Sequence, residues 1–165
     1  MEINMIACMS NNRVIWNNNE LPWNYPEDLK YFKEKTDWNI VVMWLKTYES
    51  IWKPLKNRYN IVLTKQDINI EGVDIVDSID SLKQKLWYLR HNSEYNKVFI
   101  IWWESIYEQL MPMTDRIYLT KLDKYYKWDR YFPLFEHKFR EKSRIEWNWL
   151  CFIVYDRLPF DELDN

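Results

Sequence analysis

The sequence predicts one α/β domain: a central, mostly parallel mixed sheet of about eight strands, flanked by helices and ending in an antiparallel edge hairpin. Three observations predict it. Short apolar runs alternate with stretches of helical periodicity, the pattern of strands joined by helical crossovers. The last two strand-like runs follow each other too closely for a crossover, so they pair antiparallel at an edge. The 165 residues, 47% hydrophobic, supply one core and leave little for a second, so residues 1–165 are read as one domain.

The elements follow in order. Residues 3–9 form the first strand candidate. Residues 26–36 form a helix: Pro26 suits the opening turn, and Glu27 and Asp28 lie where the helix dipole favours negative charge. Asp28, Phe32 and Thr36 recur at i, i+4 and i+8 on one face, with Leu29 on a neighbouring stripe, whereas Glu27 points about 100° away and belongs to solvent. On position alone Asp28 is an ordinary first-turn acid in water; beside an aromatic ring it also suits the border of a pocket. Strands are predicted over 40–43, 60–63, 73–76 and 97–101, with helices over 46–51, 81–89 and 104–111 between or after them. A strand over 116–122 alternates with period two, and runs 138–145 and 150–155 form the closing hairpin.

Composition narrows the function. The formal net charge is −2, with both signs in short mixed runs, which speaks against a general nucleic-acid or anionic-membrane binder. No apolar run reaches the roughly 18 to 20 residues of a membrane span, and residues 1–13 lack the pattern of a secretory signal. A cytoplasmic protein is expected. Cys8 and Cys151 lie in apolar surroundings and read as reduced core thiols, and two histidines without metal-ligand spacing give no metal site. One figure is abnormal. Average usage of ~7% would give about 12 glycines, but the chain has 1 Gly and 11 Trp.

The run LPWNYPEDLKYFKEKT from Leu21 to Thr36, followed by VVMWLKTYESIWKPLKNRYNIVLT from Val41 to Thr64, resembles the dihydrofolate reductase family. Pro22, Trp23, Pro26, Asp28, Phe32 and Thr36 match its helix pattern, and VFIIWWESIYEQLMP, RIYLTKLD and WDRYFP extend the match to about Asp156. The family has glycine where this chain has Trp16, Trp44, Trp52, Trp102, Trp103 and Trp128; Trp23 is the tryptophan it expects. Two explanations stay open. One is a UGA codon, read as glycine in some bacterial codes and as tryptophan in others; the other is a divergent or disabled protein.

The resemblance implies NADPH-dependent reduction of 7,8-dihydrofolate to 5,6,7,8-tetrahydrofolate by a monomer that acts on a small molecule and binds neither nucleic acid nor membrane. It implies Asp28, Trp23 and Leu21 as the catalytic set, with Asp28 accepting hydrogen bonds from the pterin and Trp23 holding a water. It implies a substrate pocket of Ile6, Phe32, Ile51, Lys53, Leu55, Ile101 and Thr120, with Arg58 gripping the substrate carboxylate through a planar, bidentate guanidinium. For the cofactor it implies Ala7, Cys8, Ile15, Trp16, Asn19, Trp44, Leu45, Lys46, Thr47, Thr64 and Lys65, together with Ile101, Trp102, Trp103, Glu104, Ser105, Ile106 and Tyr107. Residues 11–21 match a loop that closes over the nicotinamide. Leu45 and Asp77 stand where relatives are often basic, which weakens the case for NADPH over NADH. A related pterin or pyrimidine reductase is the alternative within the fold. A non-catalytic ligand-binding protein is the alternative outside enzymes, should Trp102 and Trp103 block the cofactor.

Overall fold

A computed structural model describes residues 1–16, 25–102, 104–127 and 130–159, apart from the side chain of Trp16. The strands are β1 (Glu2–Ser10), β2 (Val14–Trp16), β3 (Ile40–Trp44), β4 (Tyr59–Leu63), β5 (Val73–Val76), β6 (Lys97–Ile101), β7 (Arg116–Leu122), β8 (Arg130–Tyr131), β9 (Phe139–Trp147) and β10 (Leu150–Arg157). The helices are α1 (Pro26–Thr36), α2 (Leu45–Ile51), α3 (Ile79–Asn92) and α4 (Glu104–Leu110). The predicted 104–111 helix is α-helical only to Leu110, and Met111–Met113 continue as a 3-10 turn in which Pro112 cannot donate to an α-helical ladder.

Eight strands form one sheet in the order β5-β4-β3-β6-β1-β7-β10-β9. Pairings among the first six are parallel, and β10 is antiparallel to both β7 and β9. The first strand therefore lies inside the sheet, and the C-terminal pair forms the expected edge. Strand β9 is exposed along nearly its whole length, and its alternating Arg140, Glu141, Lys142, Arg144 and Glu146 discourage pairing with another chain.

Both faces of the parallel core are covered. Met5, Ala7, Val42 and Ile61 pack on one face with Leu82, Leu86 and Leu89 of α3 and Ile106 and Leu110 of α4. The residues between them in sequence, Ile6, Val41, Met43 and Val62, pack on the other face with Phe32 of α1. Burial on both sides explains why these strands read as continuous apolar runs. The short ladder of β2 and β8 was not expected: two or three residues carry no periodic signal, and these pair because Arg13 and Phe132 join their backbones. Cys8 and Cys151 are unbridged, as predicted, but only Cys8 is buried; Cys151 is half-buried on β10 rather than in the core.

Candidate active site

The site lies at the carboxyl ends of β1, β6, β3 and β4, where open α/β sheets place their ligands. Cys8 of β1 is directly opposite Thr120 of β7, and two residues earlier Ile6 is opposite both Ile101 and Tyr118. Their shared face looks toward α1. Pro26 starts α1 as its first helical residue, which sets Asp28 one turn above buried Phe32 and two turns above buried Thr36. The expected single face is thus observed, with Glu27 exposed and Asp28 partly buried.

Thr120 and Cys8 both hydrogen-bond the Asp28 carboxylate. Burial raises its pKa above the usual carboxylate range, and those two bonds only partly offset the effect. Nearby Tyr31 and Tyr107 are pushed up, first by burial, so their phenols stay protonated at neutral pH. Ile6, Phe32 and Ile101 form one apolar cluster with Ile51 and Leu55 at its margin. Lys53 is exposed.

Arg58 lies at the far end of α1. Its Nε donates to Thr36 Oγ1 at 2.9 Å, its amino groups donate to the carbonyls of Lys56 (2.7 Å) and Lys33 (3.3 Å), and Asp37 lies 3.6 Å away. Burial lowers its pKa and Asp37 opposes that shift. The guanidinium carbon lies 5.9 Å from the centre of the Phe32 ring, so the charge is aimed along the same apolar wall.

A cavity of about 360 Å³ is lined by Trp44, Leu45, Lys46, Glu49, Thr64, Gln66 and Ser105. Gln66 and Glu49 were missed in the sequence; Gln66 follows Thr64 and Lys65 directly, and its backbone N–H donates to Thr64 Oγ1. Buried Thr47 donates through Oγ1 to the carbonyl of Trp102 at 2.7 Å, and the N–H of Trp102 donates to Tyr107 Oη, which donates onward to the carbonyl of Ile6. This chain of bonds ties α2, the turn before α4 and β1 together. Ala7, Ile15 and Ile106 are buried in the core, while Lys65 is exposed and Glu104 binds Arg130. Leu21, Trp23, Asn19, Trp103 and Trp128 lie outside the described residues, as do residues 17–21 of the predicted closing loop and the side chain of Trp16.

The donor set gives a test of whether a phosphorylated dinucleotide fits. One cation, Lys46, and the neutral polar side chains of Thr64, Gln66 and Ser105 converge on one cavity, which Glu49 also lines. The phosphate end fits. At the ring end, the indole of Trp102 stacks on Phe32 with centroids 4.7 Å apart and covers the wall expected for the pterin.

A sheet with β1 inside it, a half-buried carboxylate over one strand end and a cavity over the next define an α/β protein whose candidate ligand site lies at the carboxyl ends of its strands. The dihydrofolate reductase family model matches residues 2–149. Dihydrofolate reductases of Buchnera aphidicola and Bacillus subtilis are each 38% identical to it, over 83% and 81% of this chain and 80% and 77% of their own. The structure of an Enterococcus faecalis dihydrofolate reductase complexed with NADP(H) and RAB-propyl superposes with a TM-score of 0.80 at 27% identity, covering 94% of this chain and 96% of that one. The chain belongs to the dihydrofolate reductase family.

Proposed function

We infer that this chain reduces 7,8-dihydrofolate to 5,6,7,8-tetrahydrofolate with NADPH. One observation supports the assignment of roles above all: Asp28 and Arg58 stand at opposite ends of one apolar wall, an acid–base group at one end and a carboxylate clamp at the other. Folate is a substrate with a donor-rich ring at one end and a carboxylate at the other.

The Asp28 carboxylate accepts paired hydrogen bonds from the pterin, and its raised pKa favours protonation of the ring nitrogen beside the carbon that is reduced. Thr120 and Cys8 orient that carboxylate, which limits its rotation away from the ring. Ile6, Ile51, Leu55 and Ile101 exclude water from the rings, which strengthens the charge interactions between them. Arg58, pre-set by Thr36 and the Lys33 carbonyl, binds the substrate carboxylate with little loss of side-chain freedom. Lys46, Thr64, Gln66 and Ser105 would hold the phosphate end of NADPH, which supplies the hydride when bound. Leu21, Trp23, Asn19 and Trp103 keep the roles implied by family resemblance as part of this proposal.

We read residues 1–165 as one domain acting in the cytoplasm as a monomer on small molecules. The net charge of −2 fits that reading, and among the described residues no helix is long and apolar enough to cross a membrane. Comparing dihydrofolate with the same pterin lacking its glutamate carboxylate, in the chain carrying Trp102→Gly and Trp103→Gly, tests the substrate. A charged hydrogen bond of about 1.5 to 3 kcal/mol predicts a roughly 10- to 100-fold preference in kcat/KM for dihydrofolate. Equal values would favour a pterin reductase without a carboxylate clamp.

A further inference from the structure

Three tryptophans occupy backbone conformations that their side chains oppose. Trp38, Trp52 and Trp102 have φ of 57°, 59° and 52°, in the left-handed region where glycine is at ease and a bulky residue is an outlier. The chain's one glycine, Gly72, has φ +73°. The three turns are unrelated: one precedes β3, one ends α2, and one joins β6 to α4.

Each conformation is held by hydrogen bonds rather than by its indole. Trp38 N–H donates to the Asn57 carbonyl at 2.7 Å and Trp52 N–H to the Tyr48 carbonyl at 2.9 Å. Trp102 is fixed on both sides, by Thr47 and Tyr107. The Trp38 and Trp52 side chains are 71% and 83% exposed, so little burial offsets the strain. Arg13 shows the contrast. It too has a positive φ, but its guanidinium is anchored by the carbonyls of Phe132 and Pro133 and by Glu136.

At position 102 the side chain also lies where a ligand is needed, since its indole covers Phe32. Trp38 adds an independent point, because it was not among the positions singled out by resemblance. Set beside 1 Gly and 11 Trp, these backbones share one explanation. We infer that the working enzyme carries glycine at positions 38, 52 and 102, because its gene writes them as UGA and its source cell reads that codon as glycine. An indole at position 102 closes the ring pocket. The part concerning that pocket rests on the reductase reading; the backbone part stands without it.

Peptide mass spectrometry of the protein from its source cells reads the three residues directly. Glycine at all three is expected, and tryptophan at any of them overturns the inference. A second measurement uses recombinant protein and needs no turnover. Calorimetric titration with dihydrofolate should show binding at least about tenfold tighter for Trp102→Gly than for the chain as written, and Trp38→Gly with Trp52→Gly should raise the melting midpoint. Unchanged dihydrofolate affinity in Trp102→Gly overturns the pocket part, and an unchanged or lower midpoint in the double variant overturns the backbone part. Tight binding by Trp102→Gly without reduction would uphold this inference while refuting the reductase reading.

Discussion

Replacing Asp28 with asparagine keeps the shape of the side chain and removes its charge and its titration. Thr120 and Cys8 still find an acceptor in the amide oxygen, so the local packing survives. Tyr31 and Tyr107 cannot take over, because burial first, and then neighbouring charges, push both phenols above their ordinary range. The loss is that of one positioned acid–base group, about 10²- to 10⁴-fold in turnover, or roughly 3 to 5 kcal/mol of transition-state stabilisation. Stability should move the other way. Burial raises the folded-state pKa of Asp28 above the ordinary 3.8, so between those two values the folded chain holds a proton that the unfolded chain has lost. Its contribution to stability is greatest below the unfolded value and declines as pH rises through the folded one. The asparagine variant escapes that decline and should melt higher than its parent at neutral pH. Steady-state turnover and melting curves, both in a chain carrying Trp102→Gly and Trp103→Gly, measure the two effects together. Turnover above about a third of the parent's at neutral pH, or a lower melting midpoint, would refute the assigned role.

Other outcomes follow from the same geometry. Arg58→Lys keeps a charge but loses the planar fork that reaches Thr36 and the Lys33 carbonyl; the KM for dihydrofolate should rise about tenfold or more with a smaller change in kcat, and an unchanged KM would remove the clamp. Trp52→Gly relieves a left-handed conformation that costs roughly 1 to 2 kcal/mol, against about 0.5 to 1 kcal/mol for the added freedom of the unfolded chain. A gain of about 2 °C in melting temperature is expected, and none for Trp52→Ala, which keeps its Cβ; equal gains would show that the indole, not the backbone, was at fault. Thr47→Val removes the buried bond to the Trp102 carbonyl and should lower stability by about 1 kcal/mol, checked by denaturant titration.

The parallel core was legible because its strands are buried on both faces and so appear as unbroken apolar runs; β1, β3 and β6 lie within a residue or two of their predicted bounds. The β2–β8 ladder was not, since Val14–Trp16 and Arg130–Tyr131 pair through contacts more than a hundred residues apart. Around the site, the helical period placed Asp28, Phe32 and Thr36 correctly, but it was blind to Thr120 and Cys8, which reach Asp28 only because β1 and β7 align them side by side. Family resemblance named Thr120 for the substrate pocket and Cys8 for the cofactor, but neither as a partner of Asp28. Trp38 escaped both routes: glycine is the residue that ordinarily marks a left-handed turn in a sequence, and with tryptophan written there the turn is visible only in its φ.

On the proposed reading, a pocket walled by Phe32, anchored by Arg58 and governed by Asp28 reduces dihydrofolate. Following NADPH absorbance after adding dihydrofolate to the chain carrying Trp102→Gly and Trp103→Gly tests it most directly. Oxidation of NADPH that requires dihydrofolate, yields tetrahydrofolate and collapses on adding Asp28→Asn is the predicted result; a chain that binds both molecules yet leaves NADPH unchanged would contradict it.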